Sequence, residues 1–441
     1  MAEKDTDNEI TDQKELKKKI NLLIPGGAHT YSRGDDQFPE NAPAVLVKGK
    51  GCYVWGSDGK KYLDYGMGLR AVGIGYAQKE IDDAAIAEIH KGNNLTKASM
   101  TELKAAEKML ELFPGMDMIK FAKNGSVITT AAVKLARAYT GRKYILRCKD
   151  HPFFSYDDWF IGDTVITSGI PEEHRKLTLN FNFNDIDSLK KKFEEYKDQI
   201  ACVIMEPTSH IQPKPGFLKE VEEVTHKNGA VLIFDEVSCS FRVGFCVYEK
   251  YGVTPDMVTV GKAVANGYSV DALLGKREIL ELGGLDHKKE RVFLISTTFG
   301  GEMCGLGAMM ATIDYFKKHN VITHLWDYNE RLMNGANKIS KELGIGDKFY
   351  FEGFGGRLNF VTKDETGKPS MEFRTLFAQE MIKRGILMPW VANSYSHKDK
   401  ELEITLKAIK ESLEVYKKAL KEGYKKYLKG HVIKPVFRKY N

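Results

Sequence analysis

Between Ile81 and Lys262 the apolar residues switch repeatedly between two spacings, three or four apart in one stretch and consecutive in the next. IDDAAIAEIHKG (Ile81 to Gly92), TELKAAEKMLELF (Thr101 to Phe113) and VITTAAVKLARAYTG (Val127 to Gly141) carry the helical rhythm, the last of them stopping at a glycine suited to a helix end. MIKFAKNGS (Met118 to Ser126) reads as a strand running into a glycine turn. KYILRC, ACVIME, AVLIFDE and DMVTVGK are short apolar runs, each closed by a polar residue. Runs of this kind predict parallel strands buried on both faces and joined by crossover segments. In such α/β sheets, functional groups gather at the carboxyl ends of the strands.

The flanks have a different pattern. IPGGAHTYSRGDDQFPENAP (Ile24 to Pro43) has too many glycines and prolines for a long helix and predicts an ordered loop. AVLVKGKGCYVWGSDGKKYLDY (Ala44 to Tyr65) alternates like a β meander, with Asp58-Gly59 as turn chemistry. After Asn320 come a long helix, a strand-and-turn region (FYFEGFGGRLNFVT), a further helix (TLFAQEMIKRG) and a last helix from Lys398. The expected organisation is residues 1–75 as an amino-terminal segment and meander, 76–325 as a large ligand-binding domain, and 326–441 as a carboxyl-terminal part with a basic tail. The first and third parts together make a smaller α+β layer.

Composition narrows the functions available. At 441 residues with 42% apolar and 29% charged side chains, the chain has enough material for a substantial core and no bias toward disorder. Its longest apolar runs are about six residues, against roughly 20 for a membrane span, and its first residues are charged throughout, so a cytoplasmic protein is expected. The six cysteines are scattered without a CxxC pair, and the 11 histidines form no HxH or HxxxH pair, which predicts free thiols and no metal site. The net charge of +6 is local: Tyr416 to Asn441 carries +8, leaving −2 on the other 415 residues. A solvated basic helix face followed by a docked VIKPVF segment accounts for this tail better than nucleic acid binding does.

Three polar groups stand where strands end: KNGS (Lys123 to Ser126), Asp235 in FDEV, and Lys262 in GKAVANG. A glycine-serine turn opening a helix offers free amides and a hydroxyl to a phosphate. A buried aspartate calls for a cation, such as a protonated ring nitrogen, and a desolvated lysine attacks a carbonyl to form a Schiff base. Together these are the requirements of pyridoxal 5'-phosphate (PLP). Taken singly, Asp235 reads better as a helix cap and Lys262 as a surface charge, and a plain strand-to-helix turn explains KNGS at least as well.

FDEV followed 27 residues after Asp235 by Lys262, with PGGAHTYSRG upstream and STTFGGE downstream, resembles class III, fold type I aminotransferases, in particular the glutamate-1-semialdehyde 2,1-aminomutase branch. The resemblance implies a mostly parallel sheet sandwiched by helices plus a smaller domain built from both termini. It implies that Gly125 and Ser126 hold the cofactor phosphate, Asp235 the pyridine nitrogen and Lys262 the aldehyde, with Val237 under the ring. It implies that Thr298 reaches the phosphate of the opposite subunit, so that a homodimer shares its active sites. Arg33 in PGGAHTYSR matches an arginine that binds the substrate carboxylate, although bracing an irregular loop explains it equally well. Glu206, in its Glu-Pro motif, reads as structural.

The departures concern the surroundings of the ring. DHPFFSYDDW replaces a Tyr-His-Gly element, making Phe153 the candidate to stack on the ring, with His151 and Phe154 as rivals. Val127 stands for a glutamate, and Ser238-Cys239-Ser240 for Met-Thr-Gly; these changes are expected on the substrate side. With bulky Phe153, Phe154, Tyr156 and Trp159, the altered loop favours ordinary transamination from an amino-acid donor to a carbonyl acceptor, such as a sugar or other polyhydroxy compound. The alternatives are an aminomutase and a non-catalytic scaffold that kept the fold. The absence of a GxGxxG motif after a strand argues against a dehydrogenase.

Overall fold

The computed structural model describes residues 12–440; the first eleven residues of the charged amino-terminal run, and Asn441, lie outside the described residues. In chain order the strands are β1 (Leu46–Lys50), β2 (Tyr53–Gly56), β3 (Lys61–Asp64), β4 (Met118–Ala122), β5 (Tyr144–Cys148), β6 (Thr178–Phe181), β7 (Ile200–Met205), β8 (Val231–Asp235), β9 (Met257–Val260), β10 (Asp271–Gly275), β11 (Phe349–Phe354), β12 (Arg357–Thr362) and β13 (Ile386–Leu387). The chain divides into two compact units, one made of residues through Leu69, Ile74–Gln78 and His324–Arg438, the other of Arg70–Gly73, Lys79–Thr323 and the residues from Lys439.

The second unit is built on a seven-stranded sheet of order β4-β10-β9-β8-β7-β5-β6. The pairs from β6 through β9 are parallel, and β10 runs antiparallel to both β9 and β4. β7, β8, β9 and β10 are buried along their whole length, as expected of continuous apolar runs covered by helices on both faces. Because β10 is reversed, its first residue, Asp271, stands at the edge where β4, β8 and β9 finish.

In the first unit, the meander β1-β2-β3 is completed by β13, which pairs in parallel with β3. Its core is rich in aromatics, with Phe349, Phe351, Phe360, Phe373, Phe377 and Tyr416 packed together. Ile24 to Pro43 forms short 3-10 turns, among them Tyr31–Arg33. The basic tail docks within this unit: the amide of Ile433 donates to Thr375 Oγ1 at 3.0 Å, and that of Lys434 to the Asp36 carbonyl at 2.9 Å. No helix among the described residues is long and apolar enough to cross a membrane.

Candidate active site

β4 ends at Ala122, and the helix Gly125–Thr140 begins three residues later. Asn124 caps that helix in an extended conformation, its side chain accepting from the Val127 amide at 3.1 Å. The amides of Gly125 and Ser126 are first-turn donors without a helical acceptor, which suits them to an anion. Ser126 is buried, and its Oγ accepts from the Tyr156 amide at 3.1 Å.

Asp235, the last residue of β8, is 5% exposed. Its Oδ1 accepts from the Val237 amide and from Thr259 Oγ1, both at 3.0 Å, which leaves Oδ2 to meet a cation. Burial and the nearby Glu206 push its carboxyl up to about 6, against the pull of Lys262 and the two donors. Lys262 opens the turn Lys262–Ala265 after β9, is half-buried, and has φ of 50°, a left-handed conformation uncommon for any residue but glycine. Its Nζ donates to Ser238 Oγ at 2.8 Å.

Val237 packs between two glycines: a Cβ added at either Gly125 or Gly261 would lie 3.5 Å from its Cγ1. Next to Val237, Oδ1 of Asp271 would lie 1.9 Å from such a Cβ on Gly261 and 3.7 Å from one on Gly125. Asp271 is 7% exposed, and burial pushes its carboxyl up to about 7, with Lys262 and Lys123 lowering it and Asp235 raising it. Lys123 is paired with Glu302 at 2.6 Å and also donates to the Ser269 carbonyl at 3.0 Å.

The edge of one sheet thus brings together Gly125, Ser126, Asp235, Val237 and Lys262. Among the ring-side candidates, His151 is buried, its Nδ1 accepting from the Glu206 amide at 3.1 Å. Phe154 is buried in contact with Trp159 and Phe160, while Phe153 is 46% exposed. Thr298 lies exposed in a loop, its carbonyl accepting from Asn94 Nδ2 at 3.3 Å. Arg33 belongs to the other unit and is exposed.

Two expectations about the departures need correction. Ser238-Cys239-Ser240 does not simply face substrate: Ser238 bonds the lysine, Cys239 is buried, and Ser240 Oγ donates to Glu236 at 2.6 Å. Nor are four aromatics free to shape the acceptor site, because Phe154 and Trp159 are core residues, Trp159 Nε1 donating to Thr130 Oγ1 at 2.9 Å. Phe153 and Tyr156 remain exposed.

Sequence reasoning also missed Glu236 and Asp271, and named Ser238 without foreseeing its bond to the lysine. Glu236 is buried and accepts from the amides of Val247 and Tyr248 as well as from Ser240, fixing the loop after β8; burial pushes its carboxyl up to about 7 in spite of these donors. A single acid in the otherwise apolar run VDALLG was the available signal for Asp271.

The family model of class-III aminotransferases matches residues 35–347. The chain belongs to the class-III aminotransferase family. It is 32% identical over 409 residues to the 3-aminobutyryl-CoA aminotransferase of Cloacimonas acidaminovorans, covering 90% of this chain and 95% of that one. A glutamate-1-semialdehyde 2,1-aminomutase of Halalkalibacterium halodurans is 29% identical over 417 residues, covering 89% and 95%. Among solved structures, the FumI protein of Sphingopyxis, in a PLP form, superposes with a TM-score of 0.85 at 25% identity over 94% of this chain and 98% of that one. This class-III aminotransferase has fold type I and is a PLP-dependent enzyme, a transaminase or an aminomutase. The donor set fits that cofactor: a buried carboxylate with one oxygen left for a cation, a half-buried lysine, and a helix start with two available amides.

Proposed function

We propose that the chain is an intermolecular transaminase that moves an amino group from an amino-acid donor to a separate carbonyl acceptor, with Lys262 and Asp235 as its catalytic residues. The observation that supports this assignment most directly is the placing of Lys262 and Asp235 at neighbouring strand ends, with Val237 packed beside Gly125 and Gly261. When bound, PLP supplies an electron sink for charge that develops at the substrate carbon.

The protein's own groups would do the rest. The amides of Gly125 and Ser126 hold the phosphate at the positive end of the helix. Asp235 Oδ2 keeps a proton on the ring nitrogen, and the cation so retained relieves the cost of burying Asp235. Val237 packs against one ring face and Phe153 covers the other. Lys262 Nζ would hold the aldehyde of the cofactor and, as a free amine, would carry a proton to and from the substrate carbon. Ser238 Oγ orients Nζ between these tasks. Arg33 is the proposed anchor for the substrate carboxylate. Thr298 of the partner subunit completes the phosphate site in the proposed homodimer, and the proposed location is cytoplasmic.

The acceptor we propose is a sugar or other polyhydroxy carbonyl compound, on the strength of the altered ring-side loop with Phe153 and Tyr156 at its exposed face. The relatives named as aminomutases favour the second reading, in which both half-reactions stay on one small substrate. The test is the visible spectrum of purified protein with PLP and a panel of amino donors, beside Lys262→Ala and Asp235→Asn. Donor-dependent bleaching by the wild type, absent in Lys262→Ala and slowed on the order of 10²-fold or more in Asp235→Asn, is expected. A wild type that stays colourless with excess PLP overturns the assignment. Efficient conversion of glutamate semialdehyde to 5-aminolevulinate without an added donor replaces it with the aminomutase.

A further inference from the structure

Asp271 has no place in the chemistry just described, yet it stands inside the same site. The register of β10 puts Ala272 opposite Val260 and Asp271 opposite Ala122, so the acid sits at the exit of β4, directly before the turn that opens the Gly125–Thr140 helix. Gly261 makes room for it, since any Cβ there would collide with Oδ1. The same oxygen lies within contact distance of a side-chain position at Gly125, where the helix start offers its amides to an anion. A phosphate held by those amides and a carboxylate held beside Gly125 carry the same sign of charge and repel.

We infer that Asp271 receives the phosphate end of the cofactor only as the neutral acid, so that loading the site takes up one proton from solvent at this residue. The inference rests on the assignment of the Lys262 site to PLP. The groups that face Asp271 leave the outcome finely balanced before loading. Lys262, from the turn after β9, and Lys123, from the end of β4, favour the carboxylate; Asp235, from β8, and burial favour the acid, and the result lies near neutrality. Lys123 is already engaged by Glu302 and the Ser269 carbonyl, which limits what it can offer. Adding a phosphate dianion tips this balance toward the acid. The neutral form also acquires an O–H that donates to a phosphate oxygen, turning a repulsive neighbour into a ligand. Cofactor affinity then decreases as pH rises through neutrality, toward about tenfold per pH unit for one linked proton.

The test uses pyridoxamine 5'-phosphate, which carries the phosphate but no aldehyde, so that Lys262 forms no bond to it. Binding to the full-length protein is measured by calorimetry from pH 7 to 9, in buffers of different ionisation heat, for wild type, Asp271→Asn and Asp271→Ala. The expected result is a wild-type affinity that weakens with pH, reaching about tenfold per pH unit above about pH 8, with about half a proton more taken up than in either variant at pH 7 and close to one more at pH 8 to 9. For wild type alone, an infrared difference spectrum should gain the carbonyl band of a protonated carboxyl group on loading, a readout that does not depend on either variant folding. Equal pH slopes and equal proton uptake in wild type and variants, or no such band, overturn the inference while leaving the PLP assignment standing. Failure of the folded wild type to bind pyridoxamine 5'-phosphate at any pH overturns both.

Discussion

Ser238 Oγ accepts a hydrogen bond from Lys262 Nζ at 2.8 Å, tying the third residue after β8 to the first residue of the turn after β9. Two loops from neighbouring strands are thereby linked at the atom on which the proposed chemistry depends. A hydroxyl here holds the amine in one direction without neutralising it, unlike a carboxylate in the same place.

Ser238→Ala should therefore leave the protein folded and coloured by PLP but lower kcat by about tenfold, equivalent to about 1.4 kcal/mol. Stopped-flow measurement of the donor half-reaction checks this, and Ser238→Thr, which keeps the hydroxyl, should recover much of the rate. Loss of PLP binding in the alanine variant would show that Ser238 serves the cofactor rather than the lysine.

Arg33→Ala should raise KM for carboxylate-bearing donors by about 10- to 100-fold, as expected for a lost bidentate charge pair, while PLP affinity stays unchanged. Donors without a carboxylate provide the comparison. An equal effect on both donor classes would assign Arg33 to the bracing of its loop.

Protein without cofactor should lose stability as pH rises. Asp235, Asp271 and Glu236 have carboxyls raised to about 6, 7 and 7, foremost by burial, so between about pH 4 and pH 7 the folded state holds protons that the unfolded chain has released. Stability linked to these groups is present at the acid end of that window and declines through it. Thermal melts from pH 4 to 8 should show the decline, with a shallower slope in Asp271→Asn.

Glu302 works in the opposite direction. Burial opposes its charge, but Cys304, Lys123 and Asn93 hold its carboxyl down to about 2. Its contribution is complete above the ordinary carboxylate value and is lost as pH falls from about 4.5 to about 2. Glu302→Gln should be destabilised by about 1–3 kcal/mol at neutral pH, with the difference from wild type shrinking in acid, as read by denaturant titration.

The large sheet and its strand-end groups were legible because uninterrupted apolar runs and their polar terminators are local signals. FDEV and GKAVANG each lie within one strand and its exit, so reading the strands was enough to align Asp235 with Lys262. Asp271 escaped because its position depends on the reversal of β10, a property of the whole sheet that no local pattern states. Phe154 and Phe153 are adjacent and chemically identical in the chain, yet one is core and the other exposed; both pack on Phe160, and the additional contacts of Phe154 with Trp159 and His151 separate them. Similarly, nothing local told that Ser238 would find the lysine while Ser240 turned to Glu236.

Lys262 stands with φ of 50°, where glycine would be at ease and a lysine backbone costs about 1 kcal/mol. Folding and chemistry therefore favour different residues at this position. Glycine would relieve the backbone while giving up the bond to Ser238 and the charge beside Asp235 and Asp271, so in this chain the strained backbone and the reactive amine are kept or lost together.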